Sequence, residues 1–265
     1  MGDREKLLAA YDADLRTEAE VAGAVAVHRI GPLWLATFAG GRGFISYRDL
    51  DGSTPEGIER LVSAAVAHFL GEPDVREVEW KTRGHDHAPG LHEALVRHGF
   101  EPGEPESIMI GEAQALAVDV PLPAGVTLRR VTEPDDIRAA VRMQNEVFDE
   151  PDPDAYADEL LDRRAHGEDF EMWVAEADGE IVTAGRLVPV PGTLFAGIWG
   201  GATREEWRGR GIYRALTAER ARSALARGLV YIHSDSTEYS RPILERSGFV
   251  KVSTTTPYEW HRPAS

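Results

Sequence analysis

The stretch from Thr203 to Leu216 has the clearest chemical potential, because glycines alternate with arginines in Arg208-Gly209-Arg210-Gly211. Glycines that join a strand to a helix allow backbone N–H groups to converge at the helix N-terminus, where the helix dipole favours an anion. Residues 204–227 include seven arginines and three glutamates. This local excess of positive charge suits a phosphate-bearing ligand. A solvated basic helix face after a glycine turn is the alternative interpretation.

Two other phosphate-binding motifs do not match these residues. A P-loop requires Gly-Lys followed by Ser or Thr, which the stretch lacks. A dinucleotide-binding fingerprint requires a third glycine where Arg214 stands. The stretch therefore predicts a different kind of phosphate site.

The elements that position this stretch follow from the hydrophobic pattern of the second half of the chain. From Val126 onward the pattern predicts the order β, α, α, β, β, β, α, β, α, β. This order indicates a mixed, largely antiparallel sheet flanked by helices. A β run from Leu194 to Thr203 precedes the glycines, a helix from Ile212 to Arg227 follows them, and a strand from Leu229 to His233 comes next.

In this order of elements, Arg208-Gly209-Arg210-Gly211-Ile212-Tyr213 resembles the acetyl-CoA signature of the GCN5-related N-acetyltransferases, the GNAT superfamily. The signature is Arg/Gln-x-x-Gly-x-Gly/Ala. Arg208 and Gly211 match it, with Gly209 between them, whereas Tyr213 replaces the final glycine or alanine. The late pair Gly248-Phe249 also fits the family pattern.

The resemblance implies that acetyl-CoA is the co-substrate and that main-chain N–H groups between Gly209 and Tyr213 hold its pyrophosphate. It also implies that the thioester carbonyl lies against the end of the preceding strand, where backbone donors stabilise the oxyanion. The acceptor amine would attack that carbonyl directly, in a ternary complex. The predicted cofactor-binding residues are Gly201, Ala202, Thr203, Arg208, Gly209, Arg210, Gly211, Ile212 and Tyr213.

Two proton carriers that the family often uses are missing. The position four residues before Gly248, often a general-acid tyrosine, is Leu244, and the segment 197–201 lacks the glutamate that often relays a proton from the amine. A thiol with a pKa of about 8.5 can leave as a thiolate with modest help. Candidate substitutes, each with an ordinary structural role as the alternative, are His233, Asp235, Ser236 and Tyr239.

The charge of the chain bears on its partners. A net charge of −16, from 45 acidic and 29 basic residues, argues against nucleic acid and anionic membranes. Acidic residues crowd 149–162 and 168–171, and in this family the loop between the first two helices helps to wall the acceptor pocket. A cationic amine of a small molecule or peptide would be drawn there, although a solvated acidic surface explains the same pattern.

The first half of the chain repeats part of this plan, which predicts two α/β (α+β) domains in tandem: residues 1–117, a linker at 118–125, and residues 126–265. In place of the signature, the first copy has Asp49-Leu50-Asp51-Gly52-Ser53, whose carboxylates repel a pyrophosphate. We therefore expect this copy to bind no CoA. The glycine-rich run at 40–43 predicts a hairpin turn. No metal is expected at the histidines of this half, which are His85, His87, His92 and His98.

Length and composition set the remaining limits. A chain of 265 residues with 42% hydrophobic residues and no cysteine can bury real cores, but it has no disulfide scaffold or cysteine nucleophile. Because no long apolar run or signal-type segment is present, we expect a cytoplasmic protein. The sequence predicts an acetyl-CoA-dependent N-acetyltransferase with an active C-terminal copy. The alternative is an acyl-CoA-binding module without turnover.

Overall fold

A computed structural model of the chain describes residues 2–50 and 52–263. Asp51, part of the acidic segment discussed above, lies outside the described residues. The elements of the first half are α1 (Asp3–Asp14), β1 (Ala26–Ile30), β2 (Leu33–Phe38), β3 (Arg42–Tyr47), α2 (Pro55–Leu70), β4 (Glu77–Arg83), α3 (Leu91–Arg97), β5 (Glu101–Pro102), β6 (Glu106–Glu112) and α4 (Ala113–Leu116). Those of the second half are β7 (Val126–Val131), α5 (Pro134–Phe148), α6 (Pro153–Ala165), β8 (Glu171–Ala177), β9 (Glu180–Pro189), β10 (Phe195–Thr203), α7 (Ile212–Ala226), β11 (Tyr231–Ser236), α8 (Arg241–Ser247) and β12 (Val250–His261).

Across the described residues the strands form one continuous sheet, in the spatial order β1-β2-β3-β4-β12-β6-β11-β10-β9-β8-β7, with the short β5 beside β12. Two neighbouring pairs, β3 with β4 and β10 with β11, are parallel, and the other described pairs are antiparallel. Each parallel pair is connected by a crossover helix, α2 or α7. The prediction of a mixed, largely antiparallel sheet flanked by helices is confirmed.

The last strands of the two halves are exchanged. β6, near the end of the first half, pairs with β11 of the second, while β12 pairs with β4 of the first. β6 and β12 also pair with each other. Backbone hydrogen bonds therefore join residues on the two sides of the predicted linker at 118–125. The domain boundaries remain a prediction.

Helices cover both faces of the sheet in the second half. On one face α5 and α6 pack around Met172 and Val174, and α1 from the first half packs around Phe195. On the other face α7 and α8 enclose Ile198 and Ile232. The strands β10 and β11 therefore lie between two helical layers, which fixes the geometry at their ends.

The strand after α7 begins later than the sequence predicts. The prediction of Leu229 to His233 is wrong at both ends, because β11 runs from Tyr231 to Ser236. Gly228 adopts a φ of +76°, and the N–H of Leu229 donates to the carbonyl of Ala224 at 3.0 Å. These residues therefore close the C-terminus of the helix and are not free to start the strand.

The glycine-rich turn of the first half has the predicted form. Gly40 and Gly41, with φ of +81° and +79°, connect β2 to β3, so the predicted hairpin turn at 40–43 is confirmed. Within residues 2–50 and 52–263, no helix is both long enough and apolar enough to cross a membrane.

Candidate active site

The parallel strands β10 and β11 separate towards their C-terminal ends. They are paired from Phe195 with Tyr231 to Gly197 with His233. Beyond that point β10 stays with β9 and β11 stays with β6. The register of β10 against β9 is also interrupted between Trp199 and Ala202. A gap therefore opens between the two strands, which we call the strand gap.

A glycine turn leads from the strand gap into α7. After β10 ends at Thr203, a single 3-10 turn at Glu205–Trp207 precedes the turn. Gly209 and Gly211 have φ of +74° and +80°, a conformation that side-chain-bearing residues rarely adopt. Gly211 is the residue that precedes the helix, and no side chain caps it.

This helix end presents donors without acceptors. The first helical N–H groups, those of Ile212, Tyr213 and Arg214, have no carbonyl one turn earlier in the helix. Among the described residues, none accepts a hydrogen bond from these groups or from the N–H of Gly209 or Gly211. Space is open as well, since a Cβ placed on Gly209 would meet no atom within 4 Å. The turn can therefore accept an anionic group.

Pairing divides the seven arginines of this segment. Arg204 pairs with Glu146 at 2.8 Å, and Arg222 and Arg227 also pair with carboxylates. Arg220 is buried and is described below. Apart from the buried Arg220, the arginines that have no carboxylate partner among the described residues all stand at the glycine turn and are exposed: Arg208, Arg210 and Arg214.

Two of these arginines are held by local contacts. The Nε of Arg208 donates to the carbonyl of Thr203 at 3.1 Å. The guanidinium of Arg210 lies 4.8 Å from the ring centre of Trp207, within the range of a cation–π contact. Both cations are therefore kept close to the turn, where they add to the attraction for an anion.

His233 occupies the last paired position of β11, at the apex of the strand gap. Its ring meets the ring of Trp199 edge to face, with centroids 5.4 Å apart. The Nδ1 atom is inaccessible to solvent and has no hydrogen-bond partner among the described residues. Burial lowers the pKa of His233 to about 4, in opposition to the attraction of Asp235. The imidazole is therefore neutral at pH 7, and its burial makes it a weak base.

Asp235 is tied to the first half of the chain. Its Oδ2 accepts from Nζ of Lys81, on β4, at 2.5 Å, and its Oδ1 is buried without a partner in the described residues. Burial opposes ionisation of Asp235, but the Lys81 ammonium outweighs this effect and holds the pKa of the carboxyl below its usual value. No local sequence pattern indicates this contact, because 154 positions separate the two residues.

The other predicted catalytic residues lie at and beyond the end of β11. Ser236 is 3% exposed, and its hydroxyl shares a hydrogen bond with that of Ser240 at 2.9 Å. Tyr239 is 76% exposed. Leu244, where the family often has a tyrosine, is 3% exposed in the apolar layer under α7. The roles predicted for Ser236 and Tyr239 stay predictions.

An acidic cavity of about 570 Å³ lies beside the C-terminal end of β11 and the start of β6, and residues within β12 and β4 also line it. Burial raises the pKa of two of its carboxyls, those of Glu79 and Glu106. Tyr239 and Pro257 provide apolar surface. The carboxylates that line the cavity come from both halves of the chain: Glu79, Glu104, Glu106, Glu238 and Glu259.

The acidic segments at 149–162 and 168–171 are largely neutralised by arginines. Asp154 accepts from Arg142 at 2.9 Å, and Glu168 pairs with Arg163 at 2.5 Å. Other carboxylates in these segments that pair with arginines are Asp158, Glu159, Asp169 and Glu171. Their attraction for a cationic acceptor is therefore weaker than the count of acidic residues indicates.

Histidines of the first half have ordinary hydrogen bonds. His85 contacts Ser253 at 2.6 Å, His92 contacts Tyr258 at 2.9 Å, and His98 contacts Glu59 at 2.9 Å. Elsewhere in this half, ligand atoms of His28, His68 and Glu72 lie within 4.8 Å of one another. Two of these three residues are exposed, and the group belongs to β1 and the end of α2.

A strand gap beside an uncapped, glycine-flanked helix N-terminus is an arrangement that suits an anionic ligand next to an open strand edge. Comparison with protein families shows what this part of the chain is similar to. Residues 123–234 match the sequence model of the acetyltransferase (GNAT) domain. This segment of the chain is therefore similar to a GNAT acetyltransferase domain, and the activity that such a domain supports is acyl transfer.

Solved structures show the same fold over the full chain. A GCN5-related N-acetyltransferase from Kribbella flavida is 18% identical, with a TM-score of 0.71 over 100% of this chain and 97% of the other. A tandem GNAT protein from the clavulanic acid biosynthesis pathway is 15% identical, with a TM-score of 0.64 over 99% and 97%. A conserved protein of unknown function from Staphylococcus epidermidis is 15% identical, with a TM-score of 0.68 over 93% of this chain and 98% of the other. No curated protein matches the sequence.

Proposed function

We propose that this protein is an N-acetyltransferase that transfers an acetyl group from acetyl-CoA to a primary amine. The observation that carries the proposal is the uncapped N-terminus of α7, with its glycines and exposed arginines, directly after the strand that borders the strand gap. The tandem GNAT protein noted above covers the same length of chain, in keeping with two diverged copies divided at 118–125.

The glycine turn fits the pyrophosphate of CoA. Main-chain N–H groups between Gly209 and Tyr213 point to the same place as the positive end of the helix dipole. Arg208 and Arg210 add positive charge. Acetyl-CoA supplies an acyl group that is already activated as a thioester. The protein therefore has to bind, orient and desolvate it, and needs no nucleophile of its own.

The open edge of β10 is the proposed place for the acyl carbonyl. Beyond Gly197 this edge has no strand partner among the described residues on the β11 side, so backbone donors near Ala202 and Thr203 face the strand gap. Donors that are fixed in the backbone stabilise developing negative charge without reorganising. This role depends on no particular side chain, which agrees with the absence of a glutamate from 197–201.

The acceptor amine must lose a proton before it attacks. His233 lies at the apex of the strand gap and is one candidate acceptor for that proton, but its pKa of about 4 makes it a weak base at pH 7. Asp235 is proposed to position this region through its buried oxygen, and Ser236 and Tyr239 remain candidates for proton transfer at the open end of β11. The thiolate leaves without a tyrosine at position 244.

The acidic cavity is the proposed entrance for a cationic acceptor. It lies at the C-terminal end of β11, the end at which the strand gap opens. Among the described residues, Glu79, Glu104 and Glu106 have no ion-pair partner, and such carboxylates attract a protonated amine. The first half of the chain thus contributes to the acceptor side, although it is not expected to bind CoA.

Thiol release over a panel of amines tests the function. We expect turnover with acetyl-CoA and a di- or polyamine, and less with neutral or acidic amines. Gly211→Val should abolish CoA binding, whereas Gly192→Val, at another positive-φ glycine in open space, should leave it unchanged. CoA binding without turnover for any amine would favour the alternative, an acyl-CoA-binding module. Undiminished CoA affinity in Gly211→Val would disprove the pyrophosphate site.

A further inference from the structure

Tyr213 stands where the family signature has a glycine or alanine, and its ring lies against the end of β10. A methyl group placed on Gly201 would be 2.6 Å from both the hydroxyl oxygen and Cε2 of Tyr213. The ring therefore covers the backbone of β10 beside the strand gap. The hydroxyl has no hydrogen-bond partner among the described residues, yet it is not among the polar atoms sealed from solvent.

A buried cation lies next to this ring. Arg220, two turns along α7, is 0% exposed, and its guanidinium carbon lies 5.6 Å from the ring centre of Tyr213. No described carboxylate pairs with it. Nη1 donates to the carbonyl of Arg186 at 3.2 Å, Nη2 donates to the hydroxyl of Thr217 at 3.2 Å, and Nε has no partner in the described residues.

Two glycines and a threonine surround the side chains of Tyr213 and Arg220. A methyl group on Gly185 would lie 2.7 Å from Nη1 of Arg220, so β9 and β10 both leave room on the side that faces α7. The Thr217 hydroxyl in turn donates to the carbonyl of Tyr213 at 2.9 Å. Burying a cation without a counter-ion costs stability. Features that break the ordinary rules of packing in this way concentrate at functional sites.

We propose that Tyr213, held in place by Arg220, is a side-chain hydrogen-bond donor at the acyl end of the donor site. The proposal rests on the proposed function and extends it. The backbone of Tyr213 belongs to the anion-binding turn, while its ring reaches from that turn to Gly201, where the acyl carbonyl is expected. A phenol hydroxyl donates to a carbonyl oxygen, and the neighbouring guanidinium strengthens that donation by polarising it.

Calorimetric binding of acetyl-CoA and of CoA to the full chain tests this role without measuring activity. Tyr213→Phe should weaken acetyl-CoA binding by about 10-fold, the scale of one hydrogen bond, and should leave CoA binding within about twofold. Gly201→Ala, which displaces the ring, and Arg220→Met, which removes its support, should reproduce the selective loss. Tyr231→Phe, on β11 against Phe195, is the matched control and should change neither affinity.

Each outcome separates the inference from the function on which it rests. Equal weakening of both ligands by Tyr213→Phe would assign the ring to packing and overturn the inference. Unchanged affinity for both ligands would overturn it as well. If the unaltered protein bound neither ligand, the proposed function itself would fail. A selective loss in Tyr213→Phe that Arg220→Met did not reproduce would refute the role of Arg220.

Discussion

Both halves of the chain contain two parallel strands connected by a helix, but the helices begin differently. In the first half, α2 starts at Pro55, and the Thr54 hydroxyl accepts from the N–H of Gly57 at 3.2 Å. In the second half, α7 starts after Gly211 with no side-chain cap. A capped helix with proline in its first turn has fewer N–H groups to offer. We therefore propose an anion site only at the crossover whose helix end is left uncapped.

The space between the parallel strands differs as well. In the first half, pairing ends at Ile45 with Trp80. Beyond that point, Glu20 accepts from Ser46 on β3 and pairs with Arg83 on β4. This carboxylate bridges the two strands at the position that corresponds to the strand gap. In the second half, β10 continues beyond its last pair with β11 through Gly200 and Gly201. In the first half, a buried ion pair therefore fills the space between the parallel strands.

Removing the bridge should have the largest effect on stability. Glu20→Gln leaves the buried Arg83 guanidinium without its carboxylate, and we expect the free energy of unfolding to fall by about 3–5 kcal/mol. Denaturant unfolding measures this change. Asp154→Asn, which breaks an exposed pair with Arg142, should cost less than about 1 kcal/mol. Similar small losses in both variants would show that the bridge does not hold the first half closed.

A pH profile should distinguish the groups on β11. Because the pKa of His233 falls from 6.5 to about 4 on folding, the unfolded chain binds more protons between these values. Stability is therefore lost as pH falls through that window, by about 3 kcal/mol for His233 alone. The lowered pKa values of Asp235 and Glu20 remove stability only at lower pH.

The raised pKa values of Glu79 and Glu106 act in the opposite direction, since their protonation favours the folded state. The contribution of His233 is therefore isolated by difference. Unfolding free energies of the unaltered protein and of His233→Leu are measured from pH 7 to pH 4, and their difference should shift by about 3 kcal/mol against the unaltered protein as pH falls. Parallel profiles would mean that the histidine is not buried as a neutral group.

Local patterns indicate the glycine turn before α7 better than they indicate the surroundings of the candidate proton carriers. The turn depends on Gly209, Gly211 and the start of a helix, all within a few consecutive residues, so spacing alone indicates it. The environment of Asp235 depends on Lys81, which β12 and β6 bring close through the strand exchange. Hydrophobic periodicity identifies strands but not their neighbours, and it therefore could not indicate that contact. The acidic cavity escaped prediction for the same reason.

Charge counting failed where pairing decides the outcome. Arginines do exceed glutamates at 204–227, but those outside the glycine turn are either buried or paired with carboxylates. The exposed arginines stand at the turn. The carboxylates of 149–171 are mostly paired. Glu79 and Glu106, which lie far from that segment in the sequence, have no ion-pair partner among the described residues. Composition gives the sum of charges but not their partners.

An acidic residue at the turn should make the second half resemble the first. Gly211→Asp supplies both a cap and a negative charge, and we expect CoA affinity to fall by about 100-fold, or about 2.7 kcal/mol. Aspartate tolerates this backbone, since Asp149, Asp152 and Asp178 have φ of 56°, 54° and 51°. Gly52→Asp, at a φ of +77° in the first half, should leave CoA affinity unchanged. A comparable loss there would mean that the first half takes part in CoA binding.

Removing the cap of the first half should have the smallest effect. Thr54→Ala should lower the free energy of unfolding by about 1 kcal/mol, because the N–H of Gly57 loses its acceptor. Thr132 stands beside a helix that it does not cap, so Thr132→Ala should lower the free energy of unfolding by only a few tenths of about 1 kcal/mol. The stoichiometry of CoA in calorimetry should stay at one site per chain in both variants, since Pro55 still lacks an N–H and the bridge through Glu20 remains. A second CoA site in Thr54→Ala would mean that the cap alone, and not the closed strands, keeps the first half from binding.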